Sequence, residues 1–242
     1  DIASTGWWTV FKPPTELTIE LYQEALTRTG MAQSFMNSLF ISIPATIIPI
    51  MVAAFAAYAF AWMDFPGRDY IFLIVVGLLI VPLQMTFIPR LRAFRVLNLA
   101  GTFPAIWLAH TGYGLPLAIY LLHNFIAALP REIFDSAAMD GASTMACFIR
   151  MVVPLSVPAI ASVIIFQFLW VWNDLLVALI FLGGAPNVVP VTLKIANLVG
   201  SRGQDWELLS AAAFLSMLLP LIVFFSMQRY FVRGILAGSL KE

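Results

Sequence analysis

Five runs of apolar residues constrain this chain more than any other feature of its 242 residues. They cover 35–63, 70–89, 103–129, 157–182 and 206–231, and each reaches the roughly 20 residues a helix needs to cross a bilayer. Lipid offers no water to backbone amides and carbonyls, so runs of this length span as helices. Composition agrees, with 61% hydrophobic and 11% charged residues and a mean hydropathy of +0.92. A soluble domain holds about 45–50% apolar and about 25% charged residues. The chain reads as an all-α integral membrane protein with one membrane domain and no internal repeat. Its formal net charge of zero leaves no nucleic-acid footprint. The single Cys147 excludes an internal disulfide, and two histidines without a Cys/His cluster give a metal site no support.

The first span is rich in alanine (Ala53, Ala54, Ala56, Ala57, Ala59, Ala61), which favours close helix packing in lipid. Pro44 and Pro49 are expected to bend it. Asp64–Asp69 (DFPGRD) reads as a turn. The second span holds Gln84 and Pro82. After it, RLRAFRVLNLAGT (90–102) is amphipathic and expected to lie along an interface. The third span is polar for its kind, with His110, Thr111, Tyr113, His123 and Asn124. Gly112, Gly114 and Pro116 are expected to weaken its middle. The two histidines are 13 residues apart, roughly 20 Å along a helix, so they cannot form one site. The fourth span carries Trp170-Val171-Trp172-Asn173-Asp174. A carboxylate among apolar residues marks either a functional polar path or a structural group bonded to a neighbouring helix. Ahead of the spans, 1–33 is polar, with Trp7 and Trp8 as interfacial anchors and a short helix expected from Thr18 to Arg28. It lacks the basic start and apolar centre of a signal peptide.

The longest break between spans is PREIFDSAAMDGASTMACFIRMVVPLSVP (130–158), a helix, a turn and a second helix. Pro130 suits a first helical position, and Glu132 and Asp135 put negative charge where the helix dipole favours it. Ser136, Ala137 and Ala138 are small enough for another surface to come close. Asp140-Gly141 supplies turn chemistry. The frame Asp135-Ser136-Ala137-x-x-Asp140-Gly141-Ala142, followed by Phe148 and Pro154, resembles the "EAA" loop of permease subunits in ATP-binding-cassette importers. It departs from that pattern at Asp135 for Glu and Ser136 for Ala. Asn37-Ser38, Trp172-Asn173-Asp174 and the tail QRYFVRGILAGSLKE (228–242) resemble the carbohydrate-importing branch. Among these, SFMNSLFISIPAT, VPLQMTFIP, FQFLWVWNDLLVALIFLG and GSRGQDWE look most like permeases for α-glucosides or glucosylglycerol.

The resemblance implies a type I importer permease fold with six membrane helices, the first lying upstream of Asp1. It also implies an external segment 1–34 and a transmembrane domain 35–242. Loop 130–156 would be the coupling helix, docking on a separate ATPase through Asp135, Ser136, Ala137, Ala138, Asp140, Gly141 and Ala142. Loop 183–207 would be external and Gly-rich, reaching a sugar-binding protein through Asn197, Gly200, Ser201, Arg202, Gly203, Asp205 and Trp206. Ser239, Lys241 and Glu242 would add a minor ATPase contact. A sugar path would draw on Gln84, His110, Tyr113, Asn124, Trp170, Trp172, Asn173 and Asp174, with an indole face for a sugar ring. Implied partners are a second, homologous permease, two ATPase subunits carrying ATP and Mg, the binding protein and the lipid of a bacterial inner membrane.

Charge does not orient the spans. With loop 130–156 inside, six basic residues (Arg68, Arg131, Arg150, Arg229, Arg233, Lys241) face seven outside (Lys12, Arg28, Arg90, Arg92, Arg95, Lys194, Arg202). No G-x-x-x-x-G-K-[ST] phosphate loop and no G-x-S-x-G motif occurs, so ATP hydrolysis is assigned to partners. Two rival classes are a secondary transporter using Asp174 as an ion or proton site, and an intramembrane hydrolase, which needs a nucleophile and a base within reach.

Overall fold

The computed structural model describes residues 19–27, 29–202 and 206–239, with side chains for 19–27, 29–198 and 206–228. Trp7, Trp8, Gly203, Asp205, Lys241 and Glu242 lie outside the described residues. Every regular element described is helical. In order they are α1 (Glu20–Thr27), α2 (Met31–Trp62), α3 (Arg68–Gly77), α4 (Phe87–Val96), α5 (Phe103–Ile126), α6 (Arg131–Met139), α7 (Thr144–Cys147), α8 (Val153–Leu155), α9 (Val157–Trp172), α10 (Leu176–Leu182), α11 (Val191–Arg202) and α12 (Trp206–Ser239). Helices α2, α5 and α12 are long and apolar enough to cross a membrane. Two more spans are bent pairs, 68–80 against 83–96 at 98° and 144–155 against 157–172 at 74°.

The bundle is assembled on α2. Trp107 Nε1 donates to the Phe40 carbonyl near one end of α2, and Trp62 Nε1 donates to the Ile126 carbonyl at the other, both at 3.0 Å. Helices α2 and α5 therefore run in the same direction. Helix α9 runs against them: Trp172 meets Phe35 at 5.2 Å, while Phe148, ahead of α9, stacks on Phe55 at 4.3 Å. Ala45, Ala53 and Ala57 on α2 and Ala105 and Ala109 on α5 are fully buried. Their fourfold spacing puts small side chains on one face, so the backbones approach closely and association rests on packing and interhelical hydrogen bonds. Helix α12 is peripheral, with 11% of its most apolar window buried against 44% for α2 and 50% for α5.

Proline explains where the cross-helix donors sit. Pro44 and Pro49 have no N–H, which frees the carbonyls of Phe40 and Ala45 four residues earlier. Trp107 takes the first, and Gln167 Nε2 takes the second at 3.1 Å. Helix α2 thus continues through both prolines, because neighbouring helices re-satisfy the freed groups. In α12, Pro220 frees the Ser216 carbonyl, and Trp172 Nε1 bonds it at 3.1 Å. Pro130, just beyond α5, leaves the Ile126 carbonyl to Trp62 and to the Leu129 N–H.

Several sequence expectations need correction. The span drawn at 70–89 is not one helix, because Val81 and Pro82 are extended and proline drives the residue before it out of the α region. Segment 90–102 does not simply line an interface: Arg90, on α4, folds back onto α5, its guanidinium 4.0 Å from the Tyr113 ring centroid and donating to the Ala109 carbonyl. Helix α5 runs unbroken through Gly112, Gly114 and Pro116. The span drawn at 157–182 breaks after Trp172 and resumes at Leu176. Loop 183–207 contains helix α11, not a continuous Gly-rich linker. Pro130 caps α6 from outside, and the helix starts at Arg131.

Candidate functional site

Two constellations stand at opposite ends of α2. At the end near Trp62, α6 closes on a Schellman turn. The Gly141 N–H reaches the Ala138 carbonyl, and the Ala142 N–H reaches the Ala137 carbonyl at 3.0 Å. This geometry requires a left-handed residue after the helix, and Gly141 has φ 72°. Ser143 then caps α7 by accepting from the Ala146 N–H at 3.2 Å. Aromatic rings hold the hairpin to the bundle: Phe134 stacks on Trp62 at 3.9 Å, and Phe148 lies against Phe55 and Tyr58. Ala137 packs inward, while Asp135, Ser136, Ala138, Asp140, Gly141 and Ala142 are exposed. Met139 is 91% exposed between them. Beyond α7, a π-helical stretch Phe148–Val152 leads into α8, and the chain turns into α9 at the fully buried Ser156.

At the other end, Asp174 sits in the break between α9 and α10. Its Oδ1 accepts from the Val177 N–H at 3.3 Å and its Oδ2 from the Ala178 N–H at 3.0 Å, closing the first turn of α10. Its carbonyl accepts from Thr192 Oγ1 at 2.7 Å. The fully buried His110 places Nε2 3.8 Å from Asp174 Oδ2, with the Trp170 ring edge-on at 5.1 Å. Asn173 turns back to bond the Leu169 carbonyl, and Trp172 is committed to Ser216. Both carboxylate oxygens are thus engaged at the start of α10. Asn37 and Ser38 belong to the same suture: Asn37 Nδ2 donates to the Asn187 and Val189 carbonyls, each at 3.1 Å, and Ser38 Oγ accepts from the Val191 N–H at 2.8 Å.

Of the eight path candidates, Tyr113 and Trp170 share a half-open groove of about 250 Å³ between α5 and α9, which Gly114 and Gln167 also line. His110, Trp172 and Asp174 pack behind or beyond it. Gln84 and Asn124 are exposed elsewhere and do not line it. Sequence reasoning missed Gln167, Arg90 and Gly114. The available signal for the first was a lone polar side chain in an apolar run, together with a proline that had to orphan a carbonyl. Of the residues expected to meet a binding protein, Asn197 and Trp206 are exposed, with Trp206 at 65%. Gly200, Ser201 and Arg202 are helical, and their side chains lie outside the described residues. Ser239 ends α12 under the same limit.

A bundle of spans with two breaks, carrying a capped hairpin at one end, defines a multi-pass membrane component. Residues 27–237 match the model of the family described as binding-protein-dependent transport system inner membrane component, and the chain belongs to that family. It is 62% identical, over its whole length and 82% of the relative's, to the osmoprotective compounds uptake permease protein GgtD of Synechocystis sp.. It is 55% identical to the alpha-glucoside transport system permease protein AglG of Rhizobium meliloti, over 94% of this chain and 61% of that one. Its fold matches a bacterial ABC transporter involved in import of the acidic polysaccharide alginate, with TM-score 0.75 at 19% identity over 90% of this chain and 81% of the other.

Proposed function

We propose that this chain is one of two permease subunits of an ATP-binding-cassette importer that moves a sugar, an α-glucoside or glucosylglycerol, by alternating access. A homologous permease completes the path, two ATPase subunits carry ATP and Mg, and an external binding protein delivers the sugar. The observation that carries this reading is the hairpin of α6 and α7. It offers a rim of small and acidic side chains around the exposed Met139, on a turn whose left-handed residue is glycine, with Phe134 stacked on Trp62 of α2. An exposed knob held to a membrane bundle can transmit the movement of a docked partner. The names carried by the 62% and 55% identical relatives support the substrate class. A secondary transporter keyed on Asp174 is disfavoured, because both carboxylate oxygens already accept from α10.

The test is ATPase activity of the reconstituted complex under sugar-loaded binding protein, with Asp140→Arg and Gly141→Arg. Stimulation collapses to the basal level while the membrane complex still assembles. Unchanged stimulation would remove the hairpin as the coupling element.

A further inference from the structure

A small void lies inside the bundle, where α2, α5, α9, the break at Asp174 and the segment before α11 meet. Its walls include Ser38 and Ser42 of α2, Ile106 of α5, Val171 and Trp172 of α9, and Asp174. The first five are at most 4% exposed, and the Asp174 side chain is 11% exposed. The volume is about 10 Å³, at the threshold of roughly 10–15 Å³ for holding one water. Nothing larger than a water or a bare ion fits.

Three polar side chains open onto this void with bonding capacity that the protein does not use. Ser42 Oγ is fully enclosed and has no protein partner. A helical serine commonly sends its hydroxyl to the carbonyl one turn back, as Ser136, Ser162 and Ser210 do. Ser42 does not. Ser38 Oγ accepts from the Val191 N–H at 2.8 Å, which leaves the hydroxyl proton to donate. A carboxylate has about four lone-pair sites, and the N–H groups of Val177 and Ala178 take two of those on Asp174. Among the described residues no direct bond joins Asp174 to α2, and His110 Nε2, at 3.8 Å from Oδ2, is beyond hydrogen-bond range.

We infer that this void is a binding site for one water molecule, which accepts from the Ser38 and Ser42 hydroxyls and donates to the Asp174 carboxylate. Three bonds are the usual complement of a buried water. A hydroxyl left unpaired in an apolar wall costs more than the immobilisation of one water. The Val177 and Ala178 N–H dipoles already turn their positive ends to the carboxylate, which favours a neutral water over a cation. The water ties α2 to the break between α9 and α10, a link that no direct bond supplies. The site is made by this chain alone and stands whether or not the transport reading does.

The test is a cryo-EM map of the membrane complex in lipid nanodiscs, at a resolution that shows ordered waters. A peak stands about 2.5–3.0 Å from Ser38 Oγ, Ser42 Oγ and a carboxylate oxygen of Asp174. An empty void in a map that shows other buried waters overturns the site. Ser42→Ala removes one of three partners and lowers the melting temperature by about 1–3 °C. Ser42→Val puts methyl groups into the void, displaces the water and lowers the melting temperature further. In a dry void those methyl groups improve the packing instead, so a melting temperature at or above wild type in Ser42→Val overturns the inference. The wild-type melting temperature is the same in sodium, potassium and choline chloride. A dependence on sodium would put a cation in the void and overturn the water. Should either variant fail to fold, the wild-type map and the salt series still decide.

Discussion

The two ends of α2 are held by different physics. At the Asn37 end, the chain from Asn173 to Val191 is sutured by directional bonds: across large sequence separations from Asn37 to Asn187 and Val189 and between Ser38 and Val191, and locally from Asp174 to the first turn of α10. At the Trp62 end, the hairpin of α6 and α7 rests on ring stacking, with one indole bond below it to Ile126 and a long 3.4 Å contact from the Tyr58 hydroxyl to the Thr144 carbonyl. Hydrogen bonds with both partners buried fix register, because an unmade one leaves a polar group without water. Stacked rings tolerate small sliding and rotation. One end is fastened by directional bonds, and the other is held mainly by ring contacts, with a 74° bend leading from it into α9.

The comparison breaks first at Asn37. Asn37→Ala orphans two carbonyls and costs about 2 kcal/mol, near 1 kcal/mol per bond. That corresponds to roughly 4–8 °C in the melting temperature of the purified complex, with the hairpin unaffected in limited proteolysis. An unchanged melting temperature would mean the 183–191 segment is not held through α2. Asp174 follows. Asp174→Ala removes the acceptor for two N–H groups and costs about 1–2 kcal/mol, the range of a lost N-cap. Asp174→Asn keeps one oxygen and recovers about half. Were Asp174 an ion site, the asparagine variant would instead abolish uptake at normal stability.

Much of this was written in the sequence, and the misses share a cause. The apolar runs gave the spans, since lipid permits little else. Asp140-Gly141 announced the Schellman turn, because few residues accept φ near 72°. The breaks at Pro82 and Asn173 were hidden inside apolar runs, where hydropathy is blind to backbone direction. Helix α11 was read as a loop because Gly200 and Ser201 look like linker residues, although Val191–Leu198 already alternates at helical spacing. The groove was half legible: Tyr113 and Trp170 stood out by type. Gln167 and Arg90 gain their meaning only from the partners that folding brings to them, a carbonyl orphaned by Pro49 on another helix and a ring on α5.

A smaller effect sharpens the comparison from the hairpin side. Trp62→Phe keeps a ring to stack on Phe134 but loses the bond to the Ile126 carbonyl. Interhelical hydrogen bonds in membrane proteins average about 0.6 kcal/mol, and Ile126 retains the Leu129 N–H, so the melting temperature drops by only about 1–3 °C. Trp62→Ala, which removes the stack as well, loosens the hairpin and speeds tryptic cleavage after Arg131, whose side chain is already exposed. If both variants behave alike, the indole bond rather than the ring holds the hairpin, and the two ends of α2 are fastened in the same way.

The smallest stability effect belongs to Asp135, and it is the most informative about function. Its carboxylate lies 3.8 Å from Arg131 Nε, with the side chains 68% and 82% exposed. An exposed pair one helical turn apart contributes about 0.3–0.5 kcal/mol and is screened by salt. Asp135→Ala therefore leaves the melting temperature within about 2 °C of wild type. A group that does so little for the fold, on a face that the bundle leaves uncovered, is available to a partner. The same substitution weakens the association of the ATPase subunits and steepens their loss as ionic strength rises. Asp135→Glu, with the longer arm found at this place in the related loops, binds them at least as well as wild type. A melting temperature lowered as far as by Asn37→Ala would show that the carboxylate serves the hairpin itself, and the distinction between a fastened end and a docking end would fail at its most exposed residue.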